Sequence, residues 1–203
     1  ALHMDLEKVE EIIRHNQDVV VIVDEAYIDF GGKSALELIK KYDNLLVVQT
    51  FSKSRSLAGA RLGFAIGDPA LIADLNTVRN SVNPYNVNRM TQAAGIAAIR
   101  ENDYFMGCCQ TIRKNRTDTI VQLRAMGFTV LESQANFVFT RCDAMPGAAL
   151  YAALRRRGVL VRHFDTPALT DWLRITIGTQ DQMAALLNTI AAILKEECPH
   201  ANC

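Results

Sequence analysis

Apolar residues in this chain fall either into short unbroken runs or into segments where they recur every three or four positions. Leu6, Val9, Ile12 and Ile13 share one face at helical spacing, and Asp5 stands where a cap belongs. Residues 19–23, V-V-V-I-V, show no polar alternation, the pattern of a strand in a parallel sheet covered on both faces. Residues 34–42 predict a short helix, 45–48 a buried strand, and 62–66 another strand running out to Gly67-Asp68-Pro69. The chain then turns helical. Residues 70–78 form one predicted helix, 80–86 a break around Pro84, and 87–100 and 104–126 two longer helices, the second stopping at Gly127. Strands at 128–131 and 137–140, a helix at 147–157, strands at 159–162 and 173–177 and a helix at 180–196 complete the pattern. Strands alternating with helices mean an α/β fold, and the order of elements divides it into residues 1–115 and a smaller α/β unit over 116–203.

Composition narrows the partners. Twenty-two basic residues balance 22 acidic ones, so charge alone draws the chain toward neither nucleic acid nor an anionic membrane. Its apolar runs are far shorter than the ~18 residues of a membrane span, and the first residues lack a signal pattern. The expectation is a cytoplasmic protein acting on small molecules. Five cysteines, odd in number and irregularly spaced, do not form a disulfide framework. Cys198, His200 and Cys203 carry zinc-ligand chemistry but have no second cluster, so no metal is expected.

The chemistry-bearing residues gather after the strands. Lys53 follows the run at 45–48, on the loop past the strand's carboxyl end, where open α/β sheets bind ligands. Ser52 beside it and Arg61 eight residues on supply a hydroxyl and a guanidinium fork, the groups that grip phosphate. Singly they are ordinary loop residues; together they suggest a phosphorylated cofactor bearing an aldehyde. Asp24 ends the first strand, where a buried carboxylate could keep a pyridine nitrogen protonated, and the Tyr27 phenol could bond a ring oxygen. Arg162 and Arg174 stand at or near strands of the last unit, suited either to a structural ion pair or to an anionic substrate group. Gly31-Gly32-Lys33-Ser34 imitates the end of a P-loop, but the full pattern requires glycine where Tyr27 stands.

Taken as a pattern, Ser52 to Phe64 reads S-K-x-x-x-L-A-G-x-R-x-G-F and resembles the lysine segment of fold-type I aminotransferases that use pyridoxal phosphate (PLP), histidinol-phosphate aminotransferases in particular. D-E-A-Y at 24–27 resembles the ring-binding segment of the same family. V-R at 161–162 followed by L-R-I-T-I-G-T at 173–179 resembles its end, and 83–88, 92–94 and Asn136-Phe137 fit as well. The resemblance implies a PLP-dependent transferase-like fold, with part of a large-domain sheet and a small C-terminal domain. It implies that Lys53 holds the cofactor covalently, that Asp24 and Tyr27 meet its ring, and that Ser52 and Arg61 meet its phosphate. Arg162 and Arg174 would hold the substrate's phosphate or carboxylate. It further implies a homodimer exchanging an amino group between histidinol phosphate and 2-oxoglutarate in histidine biosynthesis. A phosphothreonine decarboxylase-like lyase resembles the same subfamily, and a non-catalytic fragment is a third possibility. The family's glycine-rich phosphate loop, ring-stacking aromatic residue and N-P-T-G asparagine would precede Ala1, so the chain is expected to be a carboxyl-terminal portion.

Overall fold

The computed structural model describes residues 2–197, and most of its elements form where the apolar pattern places them. The zinc-ligand reading of the tail lies outside the described residues. The chain separates into two compact units, His3–Cys109 and one that begins at Gln110.

In the first unit, helix α1 (Leu6–His15) buries Leu6 and Ile13 against Ala35, Leu38, Leu45 and Val47, while Ile12 stays exposed. Asp5 occupies the cap position, but its side chain makes no bond to the helix end. Asn44 closes the helix's far end instead, donating to the carbonyls of Ile13, Asn16 and Val19 at 2.9–3.3 Å. Three strands follow: β1 (Val21–Asp24), β2 (Leu45–Thr50) and β3 (Gly63–Gly67). β2 is central, parallel to β1 and antiparallel to β3. Only β2 is buried as its sequence predicts. β1 lies at the sheet edge and alternates, with Ile22 62% exposed, because among the described residues no second layer covers its outer face.

Between β1 and β2 the predicted helix shrinks to a single 3-10 turn, Ala35–Leu38, capped by the Ser34 hydroxyl accepting from Leu36 N at 3.1 Å. Helix α2 (Pro69–Val82) starts on an Asp68 cap with proline at its first position and runs through Asn80 and Ser81, where a break was expected. The Ser81 hydroxyl bonds back to the Thr77 carbonyl at 2.8 Å, so the polar pair is absorbed and the helix persists until just before Pro84. Asn88 caps helix α3 (Arg89–Arg100), and helix α4 (Asn102–Ala125) follows.

In the second unit, strands β4 (Phe128–Val130), β5 (Phe137–Cys142), β6 (Arg162–His163) and β7 (Trp172–Thr176) form an antiparallel sheet in the order β4-β5-β7-β6. Val138, Leu173 and Ile175 face helices α5 (Gly147–Arg156) and α6 (Gln180–Glu197), whose Leu150, Leu154, Ile190 and Ile193 are almost fully buried in the same core. α5 begins so close to the backbone of Asp171 that a Cβ on Gly147 would come within 2.6 Å of its carbonyl carbon, so only glycine fits. The expected strand at 159–162 is reduced to the two residues of β6, since Val159 leaves the helix end by bonding back to the Leu154 carbonyl.

Candidate active site

The parallel pairing of β1 with β2 places their carboxyl ends side by side, with Asp24 opposite Val48. Five predicted residues therefore collect at one end of the first sheet: Asp24 and Tyr27 after β1, and Ser52, Lys53 and Arg61 on the loop that joins β2 to β3. Phe51 N donates to the Leu62 carbonyl at 3.0 Å and closes that loop, so Ser52 and Arg61 flank the closure from opposite directions. Arg61 adopts a left-handed backbone, φ 53° and ψ 42°, and so does Ser56 at φ 56°. Two non-glycine residues in that region give the loop a shape that local propensity would not choose.

Lys53 is exposed, and its Nζ lies 5.6 Å from the centroid of the Tyr27 ring. Among the described residues no carboxylate pairs with it. The Ser52 hydroxyl accepts from Thr50 Oγ1 at 3.0 Å, and the Arg61 guanidinium folds onto the Ala58 carbonyl at 3.1 Å. Asp24 differs from expectation: it is exposed, at the end of an edge strand, and one carboxylate oxygen accepts from Ala26 N at 3.0 Å.

The buried carboxylate of this region is its neighbour. Glu25 is 6% exposed and accepts from Ser34 Oγ at 2.7 Å, Ala35 N at 2.7 Å and Gln49 Nε2 at 2.9 Å. It ties the end of β1 to the following 3-10 turn and to β2. Gly31-Gly32-Lys33-Ser34 is thus the approach to a carboxylate-held turn, and Ser34 spends its hydroxyl hydrogen on Glu25. A second tie joins the two loops, with Ser54 donating to an Asp29 carboxylate oxygen. Neither tie was read from the sequence, although Glu25 lies within the D-E-A-Y segment and Asp29 two residues beyond it.

Arg162 and Arg174 belong to the second unit and face one another across β6 and β7 as register partners, so both project from the same side of the sheet. The Arg174 guanidinium sits 5.3 Å from the Phe137 ring centroid, and that of Arg162 sits 5.5 Å from Phe164. Among the described residues neither forms an ion pair. Two like charges directly opposite repel, and an anion between them relieves that repulsion. The preceding segment is held by Arg116, missed in the sequence, which donates to the Ala135 carbonyl at 2.7 Å. Burial, and then the nearby Arg113 charge, push the Arg116 guanidinium below its ordinary pKa.

A model of the family described as aminotransferase class I and II matches residues 2–190. The chain belongs to that family. A histidinol-phosphate aminotransferase of Chromohalobacter salexigens is 48% identical over 184 residues, 91% of this chain and 52% of the relative. The solved histidinol-phosphate aminotransferase of Clostridium acetobutylicum superposes with a TM-score of 0.85 at 25% identity, covering 94% of this chain and 59% of that one. That of Sinorhizobium meliloti, solved in complex with pyridoxal-5'-phosphate, superposes with a TM-score of 0.79 at 26% identity over 94% of this chain and 54% of that one. The α/β architecture is therefore that of class I and II aminotransferases, and the chain spans about half the length of the curated relatives it matches. Among the described residues no helix is long and apolar enough to cross a membrane, and no cluster of three or more His, Cys, Asp or Glu could hold a metal.

Proposed function

We propose that the protein of which this chain forms part is a PLP-dependent aminotransferase that exchanges an amino group between histidinol phosphate and 2-oxoglutarate. The observation carrying the reading is the exposed Lys53 amine, without a carboxylate partner, beside the Tyr27 ring at the carboxyl ends of β1 and β2. The residues fit the cofactor: an amine for an aldehyde, a phenol beside it, a carboxylate at the end of the neighbouring strand, and a hydroxyl and guanidinium flanking one loop closure. Lys53 would hold the aldehyde carbon, Asp24 and Tyr27 the ring, and Ser52 and Arg61 the phosphate. PLP when bound supplies an electron sink for the carbon that loses its proton. The Lys53 Nζ, displaced by the incoming amine, moves that proton as a general base and returns it as an acid. Asp24 keeps a positive ring nitrogen neutralised, and the Arg162–Arg174 pair orients the substrate's anionic end. The same reading makes the protein a cytoplasmic homodimer of histidine biosynthesis, divided at about residue 115 between a large cofactor domain and a small one.

The test is made on the full-length protein. Lys53→Ala is expected to abolish keto-acid-dependent turnover of histidinol phosphate while the protein melts as the parent does, because the residue is exposed on a loop. Activity within a few-fold of the parent would refute the assignment. Carbon dioxide release without keto-acid consumption would replace the transferase with a lyase.

A further inference from the structure

Arg55 lies two residues beyond Lys53 and has no part in the roles above. Its guanidinium carbon sits 3.7 Å from the centroid of Phe105 on α4 and 5.8 Å from that of Phe51, both buried rings. One Nη donates to the carbonyl of Ala98, in the last turn of α3, where carbonyls lack helical partners. A cation stacked on aromatic faces and bonded to a helix terminus is strongly restrained in direction. The same helix also holds the loop's far end. Gly95 has no side chain where the Leu62 side chain packs, and Thr91 Oγ1 lies 3.5 Å from the Ala60 carbonyl. Ser54, between Lys53 and Arg55, is bonded to Asp29. Lys53 is thus an exposed residue on a backbone fastened at the next two positions.

We propose that Arg55 is a positioning residue for Lys53: by fastening the loop to the α3 end and to Phe105, it holds the Lys53 amine over the Tyr27 ring, where an aldehyde is to be met. The proposal rests on the reading of Lys53 as the cofactor lysine. Arg55 touches no reacting atom; it acts through the loop backbone, whose closure is reported by two amides, Ser56 N to the Lys53 carbonyl at 3.2 Å and Leu57 N to the Phe51 carbonyl at 3.0 Å. Methionine at 55 would keep a stem of similar length against the rings but lose the charge and the bond to Ala98. Lysine would restore the charge without the fork.

The experiment uses the full-length protein, pyridoxal phosphate as probe, borohydride to fix whatever lysine it has reached, and peptide mapping to compare Lys53 with Lys8, Lys33, Lys114 and Lys195. Hydrogen exchange at Ser56 and Leu57 is followed in parallel. The parent is expected to be labelled preferentially at Lys53. Arg55→Met should lower that preference about tenfold and speed exchange at the two amides by about the same factor, from the loss of one cation–ring contact and one charged hydrogen bond. Arg55→Lys should recover part of both, with the β2–β3 ladder amides unchanged. A Lys53 preference that survives Arg55→Met overturns the proposal alone. A parent labelled no faster at Lys53 than elsewhere overturns the functional reading and the proposal with it.

Discussion

Replacing Glu25 by alanine strikes the buried carboxylate that joins three parts of the first unit. The Ala35 amide is buried and would lose its partner, a cost of about 2 kcal/mol for a donor left unsatisfied. Ser34 and Gln49 are half-buried and can turn toward water, so each lost charge-assisted bond costs less, about 1 kcal/mol. The sum is about 4 kcal/mol, a large share of the ~5–15 kcal/mol that holds a domain together. Glu25→Gln keeps an oxygen for the Ala35 amide and puts an NH2 where Ser34 and Gln49 share the other carboxylate oxygen, so it should cost about half as much, provided the Ser34 hydroxyl and the Gln49 amide turn to accept from it. Because the chain has two units, a single unfolding energy is not defined for it. The assay is therefore urea-dependent hydrogen exchange, with peptides from residues 21–50 read against peptides from residues 128–194 of the same sample. The loss should appear in the first set only. A cost below about 1 kcal/mol for Glu25→Ala would mean that water replaces the carboxylate and that Glu25 organises nothing.

Two further outcomes are expected. The Glu10 carboxylate is held below the ordinary glutamate range by its hydrogen bonds to Lys41 and Tyr42, so its contribution is complete above the unfolded pKa and disappears as pH falls through the folded one. Exchange at Ile13, on the α1 face docked beside it, should accelerate on that acid limb in the parent; an equally steep limb in Lys41→Met would remove Lys41 as its cause. In the second unit Leu150 is fully buried between α5 and the sheet, and Leu150→Ala should cost about 3 kcal/mol there while leaving exchange in residues 21–50 unchanged. A loss under about 1 kcal/mol would mean the core collapses around the gap.

What could be read from the sequence was what depends on neighbours along the chain. The run at 45–48 became the central strand because four consecutive apolar residues can be satisfied only between layers, and Pro69 with Asp68 marked the start of α2. The stretch at 34–42 misled because its apolar spacing is helical, whereas its backbone closes mainly on the third residue back, Ile39 N to the Leu36 carbonyl and Lys41 N to the Leu38 carbonyl, and stops after one tight turn. The ring-nitrogen role read for Asp24 called for a buried carboxylate; its exposure follows from the edge position of β1, which one strand's sequence does not reveal. The lysine segment was legible as a motif. Its left-handed residues and the Arg55 contacts were not, since the rings and carbonyl that settle Arg55 lie up to fifty residues away and carry no pattern of their own.

The two sheets also differ in when their parts become available. β1 to β3 span residues 21–67, and β4 to β7 span residues 128–176, with no pairing between the sets. Every partner of the first sheet has therefore been synthesised before β4 exists, and loop closures of a few tens of residues are quick compared with synthesis at about 5–20 residues per second. The lysine loop can take its shape on the ribosome while the strands bearing the two arginines are still untranslated. A slowed ribosome near the codon for Gln110 would expose the first sheet's open edge and Ile22 for longer without depriving that sheet of any pairing partner it has among the described residues.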